Sequence, residues 1–180
     1  MPTWLIVAFV LFSVTELSAI ASLNKKQKKQ GAKASLTSFI CYALIFLTVW
    51  AFSLSVPTYV LLLSMVAIFI NCIFGYYLDW FNRSKVFDRY LHAYGTLSFT
   101  LLAYCLIENL FVTGGSRAFL SLFTFTTGMA LGAVFELIEA AADAKSGTNN
   151  QRGLQDTNMD ILGDLVGSIL AAAVVYLFLT

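Results

Sequence analysis

Apolar residues in this chain come in long blocks separated by short polar stretches, and they do not alternate singly with polar ones. Blocks at about 3–23, 35–55, 58–78, 90–112, 118–142 and 158–179 each approach the ~20 residues that a helix needs to cross a bilayer core. A membrane barrel would instead show alternating segments of about ten residues. A tight turn around Pro57 separates the second and third blocks, and Thr113-Gly114-Gly115-Ser116 joins the fourth to the fifth. The expected fold is all-α: one transmembrane domain over residues 1–180, a polytopic bundle of six helices.

Composition strengthens this expectation. Charged residues make up only 12% of the chain and apolar ones 59%, with a mean hydropathy of +0.79, too few charges to coat a water-exposed globule of this size. Lipid must solvate most of the surface, so the backbone has to satisfy its own hydrogen bonds. Lys25, Lys26, Lys28, Lys29 and Lys33 follow the first span, Arg83, Lys85 and Arg89 the third, and Lys145 and Arg152 the fifth. Of the 11 basic residues only Arg117 falls on the other side. Because Lys and Arg favour the cytoplasmic side, both termini are expected outside and the three basic loops in the cytoplasm. Ala19-Ile20-Ala21 has the form of a signal cleavage site. No basic segment precedes it, however, Glu16 interrupts the apolar run and a lysine cluster follows, so the first span is expected to be retained. No basic face suits a nucleic acid. Cys41, Cys72 and Cys105 lie inside apolar runs without metal-ligand spacing and read as small packing residues. Tyr76, Tyr77 and Trp80 read as an interfacial aromatic belt.

Charge inside a membrane helix is costly and usually serves a purpose. Asp88 and His92 begin the fourth span, Glu136, Glu139 and Asp143 end the fifth, and Asp156, Asp160 and Asp164 begin the sixth. All therefore lie in one leaflet. At about 100° per residue, the three acids of the fifth span project on the side of Gly128 and Gly132. Those of the sixth share a face with Gly163 and Gly167, and Asp88 and His92 share one with Gly95. Small residues let membrane helices approach closely, so these three helices are expected to pack through their glycine faces and bring the acids to the one histidine. The same small-residue faces would also serve a homo-oligomer. So many carboxylates cannot all be charged in a small volume without a cation, retained protons or water. Carboxylates with one imidazole suit a divalent metal such as Mg, Mn or Zn, or a proton relay. The candidate ligands are Asp88, His92, Glu136, Glu139, Asp156 and Asp160, and the candidate catalytic groups are His92, Glu136, Glu139 and Asp160.

Plainer roles compete at several positions. Asp88 and Arg89 would cap the fourth span, Asp156 would cap the sixth, and Asp143 would pair with Lys145 at the headgroups. Glu108 would snorkel to the far headgroups. Glu16 and Asn71 are polar within the first and third spans, without a face that ties them to the other acids.

The residues Phe87-Asp88-Arg89-Tyr90-Leu91-His92, Glu136-Leu137-Ile138-Glu139 and Asp156-Thr157-Asn158-Met159-Asp160, followed by Gly167, resemble the YjdF-like family of bacterial inner-membrane proteins, itself distantly similar to the VanZ-like family. The resemblance covers about residues 86–175. Ile161 stands where methionine is common and Asp164 where a neutral polar residue is expected. The resemblance implies a multi-pass protein of the inner (cytoplasmic) membrane and reinforces the candidate residues; it implies no substrate. Three functions fit: a metal-dependent enzyme acting on a lipid or polyprenyl substrate at the cytoplasmic leaflet, a transporter of a cation or small solute, or a structural, partner-binding membrane protein. The nearly all-apolar outer halves of the last three spans weigh against transport. The scarcity of basic residues near the acids weighs against a purely structural network.

Overall fold

A computed structural model describes residues 1–111 and 114–179, and for Ser146 the backbone alone. Every regular element among the described residues is a helix: α1 (Thr3–Lys25), α2 (Lys29–Ala51), α3 (Thr58–Phe69), which runs on as a π-helix (Ile70–Tyr77), the short α4 (Trp80–Arg83), α5 (Phe87–Phe111), α6 (Arg117–Ser146), and α7 (Leu154–Val174), which ends in a π-helical turn (Val175–Leu179). Six of these helical stretches are long and apolar enough to cross a membrane. The chain forms two compact units, Met1–Phe87 and Asp88–Thr180.

Several boundaries differ from those expected. The second helix begins at Lys29 and ends at Ala51. Lys, Gln and Ala are good helix formers, so the helix extends through the basic stretch that hydropathy alone would leave as a loop. It stops where Ser53 turns left-handed, at φ 50°, and Pro57 then precedes α3. The fourth span starts at Phe87, because the Ser84 hydroxyl accepts hydrogen bonds from the amides of Val86 and Phe87. This gives Ser84 the capping part expected of Asp88. The far end of that span at 112, and Thr113 of the expected turn, lie outside the described residues.

In the first unit, aromatic side chains join α1 to α2. Phe9 stacks on Phe46 at 4.0 Å between centroids, and Phe12 meets Tyr42 edge-on at 5.9 Å. The buried Tyr42 hydroxyl donates to the Leu61 carbonyl at 2.6 Å, tying α2 to α3. At the polar end, Lys28 Nζ donates to Asp79 Oδ1 at 2.7 Å and to the Tyr76 carbonyl at 3.3 Å. That bond holds the Asp79 carboxyl below its ordinary value. Trp80, expected in an interfacial belt, packs edge-on against Phe74 and Phe87 in an aromatic cluster.

In the second unit, α6 starts at Ser116, whose hydroxyl accepts from the Phe119 amide, and ends at left-handed Gly147. Close packing of α5, α6 and α7 depends on small residues. A Cβ at Gly132 would collide with the Asp164 carboxylate, and one at Gly167 would collide with the Ala93 carbonyl and sit 2.9 Å from the Leu97 amide nitrogen. Gly128 faces Ser168 and Thr100, and Gly163 faces the backbone of Arg89 and Ala93. Gly95 departs from the expected pattern: nothing lies within 4 Å of where its Cβ would be. It lies within about 20° of Asp88 on a helical wheel, but the buried stripe of α5 through Asp88, His92, Thr96 and Thr100, in steps of four residues, drifts away from it by about 40° at each step.

Candidate functional site

Three such stripes meet in the second unit. Asp88, His92 and Thr96 descend α5; Glu136 continues the Gly128–Gly132 line of α6; Asp160, Asp164 and Ser168 descend α7. All of these side chains are buried, with Asp160 and Asp164 at 2% and 1% exposure. At 3.6 residues per turn, a four-residue step keeps side chains on one face, and glycines on two of the helices let those faces close on one another.

The imidazole of His92 lies at the centre. Its Nδ1 is 3.3 Å and 3.4 Å from the two oxygens of Asp164. Asp164 is itself fixed by a 2.6 Å hydrogen bond from the Thr96 hydroxyl. In the neutral ring this carboxylate holds the proton on Nδ1 and leaves Nε2 with its lone pair. Nε2 faces Asp88 Oδ1 and Glu136 Oε1, each 4.0 Å away. These gaps are too long for hydrogen bonds. Phe135 meets the ring edge-on.

The carboxylates around Nε2 share one feature. Each has an outer oxygen held by a polar partner or an inner oxygen left without one. Gln151 Nε2 donates to Glu136 Oε2 at 2.9 Å and to the Glu136 carbonyl at 3.1 Å, while Glu136 Oε1 has no hydrogen-bond partner. Arg152 Nη2 donates to Asp88 Oδ2, which leaves Oδ1 toward the imidazole. Buried Asp160 Oδ1 is unpartnered. Arg152 Nε lies 3.4 Å from Asp156 Oδ2, out of line for a hydrogen bond. Unsatisfied buried carboxylate oxygens are costly and need an explanation. Ligand atoms of His92, Glu136 and Asp160 lie within 4.8 Å of one another, and so do those of Asp88, Asp156 and Asp160. Both groups could hold a metal ion. Two ligands each about 2.0–2.2 Å from one ion are separated by distances of this order.

The loop between α6 and α7 is built onto the site. Asp143 accepts from the Thr148 hydroxyl at 2.5 Å and from the amides of Asn150 and Gln151 at 2.9 Å each. Its expected pairing with Lys145 gives way to this loop cradle. Asp156 lies in the first turn of α7 and does not cap it, since Gly153 occupies the cap position at φ 114°. Of the candidate residues, Asp88, His92, Glu136, Asp156 and Asp160 converge. Glu139 is half-buried beside them and contributes to neither ligand group. Thr96, Gln151, Arg152 and Asp164 were not among the candidates. Thr96 and Asp164 could have been found, since each lies four residues beyond a candidate. Past the acids the interior holds buried hydroxyls of Thr96, Thr100, Thr124 and Ser168, so it is less uniformly apolar than expected. Thr124 and Ser168, however, donate to carbonyls of their own helices.

Residues 3–180 match the family described as predicted membrane protein (DUF2238). The chain belongs to this family. The match extends to the first three spans, beyond the half on which motifs could be recognised. An uncharacterised protein of Thermotoga maritima is 26% identical over 122 residues, covering 67% of this chain and 64% of that protein. The chain thus matches a little under two-thirds of the relative's length. No solved structure matches.

Proposed function

We propose that this DUF2238 protein is a metal-dependent enzyme of the bacterial inner membrane. In this proposal His92 Nε2, Glu136 and Asp160 hold a divalent cation, and the substrate is a lipid- or polyprenyl-linked phosphate entering from the cytoplasmic leaflet. The observation that carries the proposal is the division of labour on His92. Asp164 and Thr96 fix one nitrogen, while the other faces carboxylate oxygens that no donor satisfies. A carboxylate behind a ligating histidine orients the ring and raises its basicity. When bound, the ion supplies Lewis acidity toward a phosphoryl oxygen or toward water. The remaining steps fall to side chains. Glu139, half-buried at the edge of the cluster, is positioned to take a proton from an incoming nucleophile. Arg152, partly exposed and held by Asp88, is positioned to bind phosphate oxygens in its place. The YjdF-like motifs and the basic loops support the inner-membrane location and the cytoplasmic leaflet.

Metal analysis of the purified protein tests this directly. Stoichiometric Mg, Mn or Zn is expected in the wild type and should be lost in both Glu136→Gln and Asp160→Asn. A wild type free of divalent metal, with a melting temperature that does not respond to added metal, would sink the proposal. A second reading, a purely structural ion network, is favoured by one observation: Arg152 supplies the counter-charge to Asp88 and Asp156 that the spans lack. Under that reading Arg152→Gln lowers stability and no variant changes metal content.

A further inference from the structure

The first unit contains a buried acid that plays no part in the site above. Glu16 lies on the inward stripe of α1, between Phe12 and Ile20, and is fully buried at 0% exposure. Neither of its carboxylate oxygens has a hydrogen-bond partner, and it forms no salt bridge among the described residues. The Cys72 thiol, from the π-helix that continues α3, faces it, and the Ser35 hydroxyl of α2 adjoins that thiol. Ser35 and Cys72 are likewise at 0% exposure, and the Ser35 oxygen is also unpartnered. Ala19, Ile20, Leu23, Ala32 and Cys72 close one apolar cluster next to it.

A carboxylate in such a place would have a weak thiol donor and no cation to offset the loss of water. A carboxylic acid would instead carry its own proton and could donate it to sulfur or to the hydroxyl. The surroundings also have a shape that is uncommon in helices. The turn bearing Cys72 is π-helical over Ile70–Tyr77, a form that is rare and concentrated at functional sites. Cys72 thus packs in the apolar cluster, as expected of a small residue, and also faces the acid, with Ser35 beside it.

We propose that Glu16, Cys72 and Ser35 form a proton-binding site inside the first unit, distinct from the His92 cluster, in which Glu16 takes up and releases one proton within the membrane. Protonation converts the carboxylate to the acid, whose O–H donates to the thiol sulfur or to the serine oxygen. Deprotonation returns that proton to water and leaves the anion facing the S–H, with the Ser35 hydroxyl beside that thiol. The thiol that faces Glu16 and the hydroxyl that adjoins it are both neutral side chains, so a single proton exchanges with a single net charge.

Two measurements on the full-length protein in lipid test the site. Infrared difference spectra between wild type and Glu16→Gln are expected to show a protonated-carboxyl C=O band in the wild type at neutral pH, and that band should be lost at alkaline pH. The second probe is dicyclohexylcarbodiimide, an apolar reagent that adds to the acid form of a carboxyl. The O–H proton passes to a carbodiimide nitrogen, the oxygen bonds to the central carbon, and acyl transfer then gives a stable N-acylurea. Mass spectrometry should find this adduct on Glu16, decreasing as pH rises and unchanged when choline is replaced by sodium or potassium at constant ionic strength. The carbodiimide arm needs no variant, so it stands even if Glu16→Gln does not fold. The absence of both the band and the adduct would overturn the proposal. So would protection of Glu16 by sodium or potassium, which would mark a metal-cation site. Neither readout depends on metal at His92.

Discussion

His92 has two ring nitrogens in unlike surroundings. Nδ1 has a charged acceptor fixed from behind by Thr96, and Nε2 has an open gap of 4.0 Å to each of two carboxylate oxygens. If Asp164 orients the ring, Asp164→Asn should keep every proposed ligand and still bind metal about 10–100-fold more weakly, the usual cost of losing an outer partner. Isothermal titration with Zn or Mn against the wild type measures this. Unchanged affinity would confine Asp164 to packing. A different residue-scale test applies at Asp79, outside the spans. The hydrogen bond from Lys28 lowers its carboxyl pKa, so the folded value lies below the unfolded one, about 3.9. The pair therefore stabilises the fold above that unfolded value and ceases to do so as pH falls through the folded one. The two side chains are 38% and 34% exposed, so screening keeps the contribution to about 0–1 kcal/mol. Asp79 sits at φ 67°, a conformation asparagine also tolerates, which makes Asp79→Asn a clean substitution. It should lower the melting temperature slightly at neutral pH in low salt and have no effect in high salt or at the acid end. An equal effect under all these conditions would argue against the ion pair.

At the scale of elements, the His92 cluster forms where three helices pack through glycines that leave no room for a Cβ. The Cβ of an alanine at Gly167 would run into the Ala93 carbonyl, which belongs to the backbone and cannot turn aside as a side chain can. Gly167→Ala is therefore expected to cost about 1–3 kcal/mol through overpacking and to weaken metal binding by separating α5 from α7. Gly95→Ala, where nothing lies within 4 Å, should do neither, and thermal melts in detergent read the contrast. These same helices show what could be read from sequence. Asp88 and His92, Gly132 and Glu136, and Asp156 and Asp160 are each four residues apart, so a helical wheel alone places each pair on one face. Gly95 was misjudged because a small residue signals close packing only when it lies on the buried stripe. Asp164 was passed over as a departure from a motif, although its spacing from Asp160 repeats the interval. Gln151 and Arg152 lie in a loop whose path is set by Asp143 and by Gly147 and Gly153, at φ 63° and 114°, and no periodicity predicts where such side chains will point. Glu16 was visible as an acid in an apolar run, but Cys72 comes from another helix, so only tertiary structure shows it beside the acid.

For the whole molecule, the family match from residue 3 to residue 180 treats both units as parts of one protein, and six membrane crossings, an even number, would leave its two ends on the same side of the membrane. Which side that is decides which leaflet the His92 cluster faces. The cluster lies at the ends of α5, α6 and α7 that adjoin Arg89, Lys145 and Arg152. The opposite ends of those helices carry only Arg117. Basic residues in short loops are retained on the cytoplasmic side, so the cluster should open toward the cytoplasm. In bacterial cells, alkaline phosphatase fused after Leu179 should then be active, because that enzyme matures only outside the cytoplasm, and the same fusion placed after Gly147 should be inactive. A fluorescent protein that matures only in the cytoplasm should give the opposite pattern at both positions. The Gly147 position matters most, since it lies in the loop that carries Gln151 and Arg152 to the site. If the phosphatase were active there and inactive at the C-terminus, the acids would face the outer leaflet. A cytoplasmic lipid-linked phosphate could then no longer be the substrate, although the arrangement of His92, Glu136 and Asp160 that supports the proposed metal site would be unaffected.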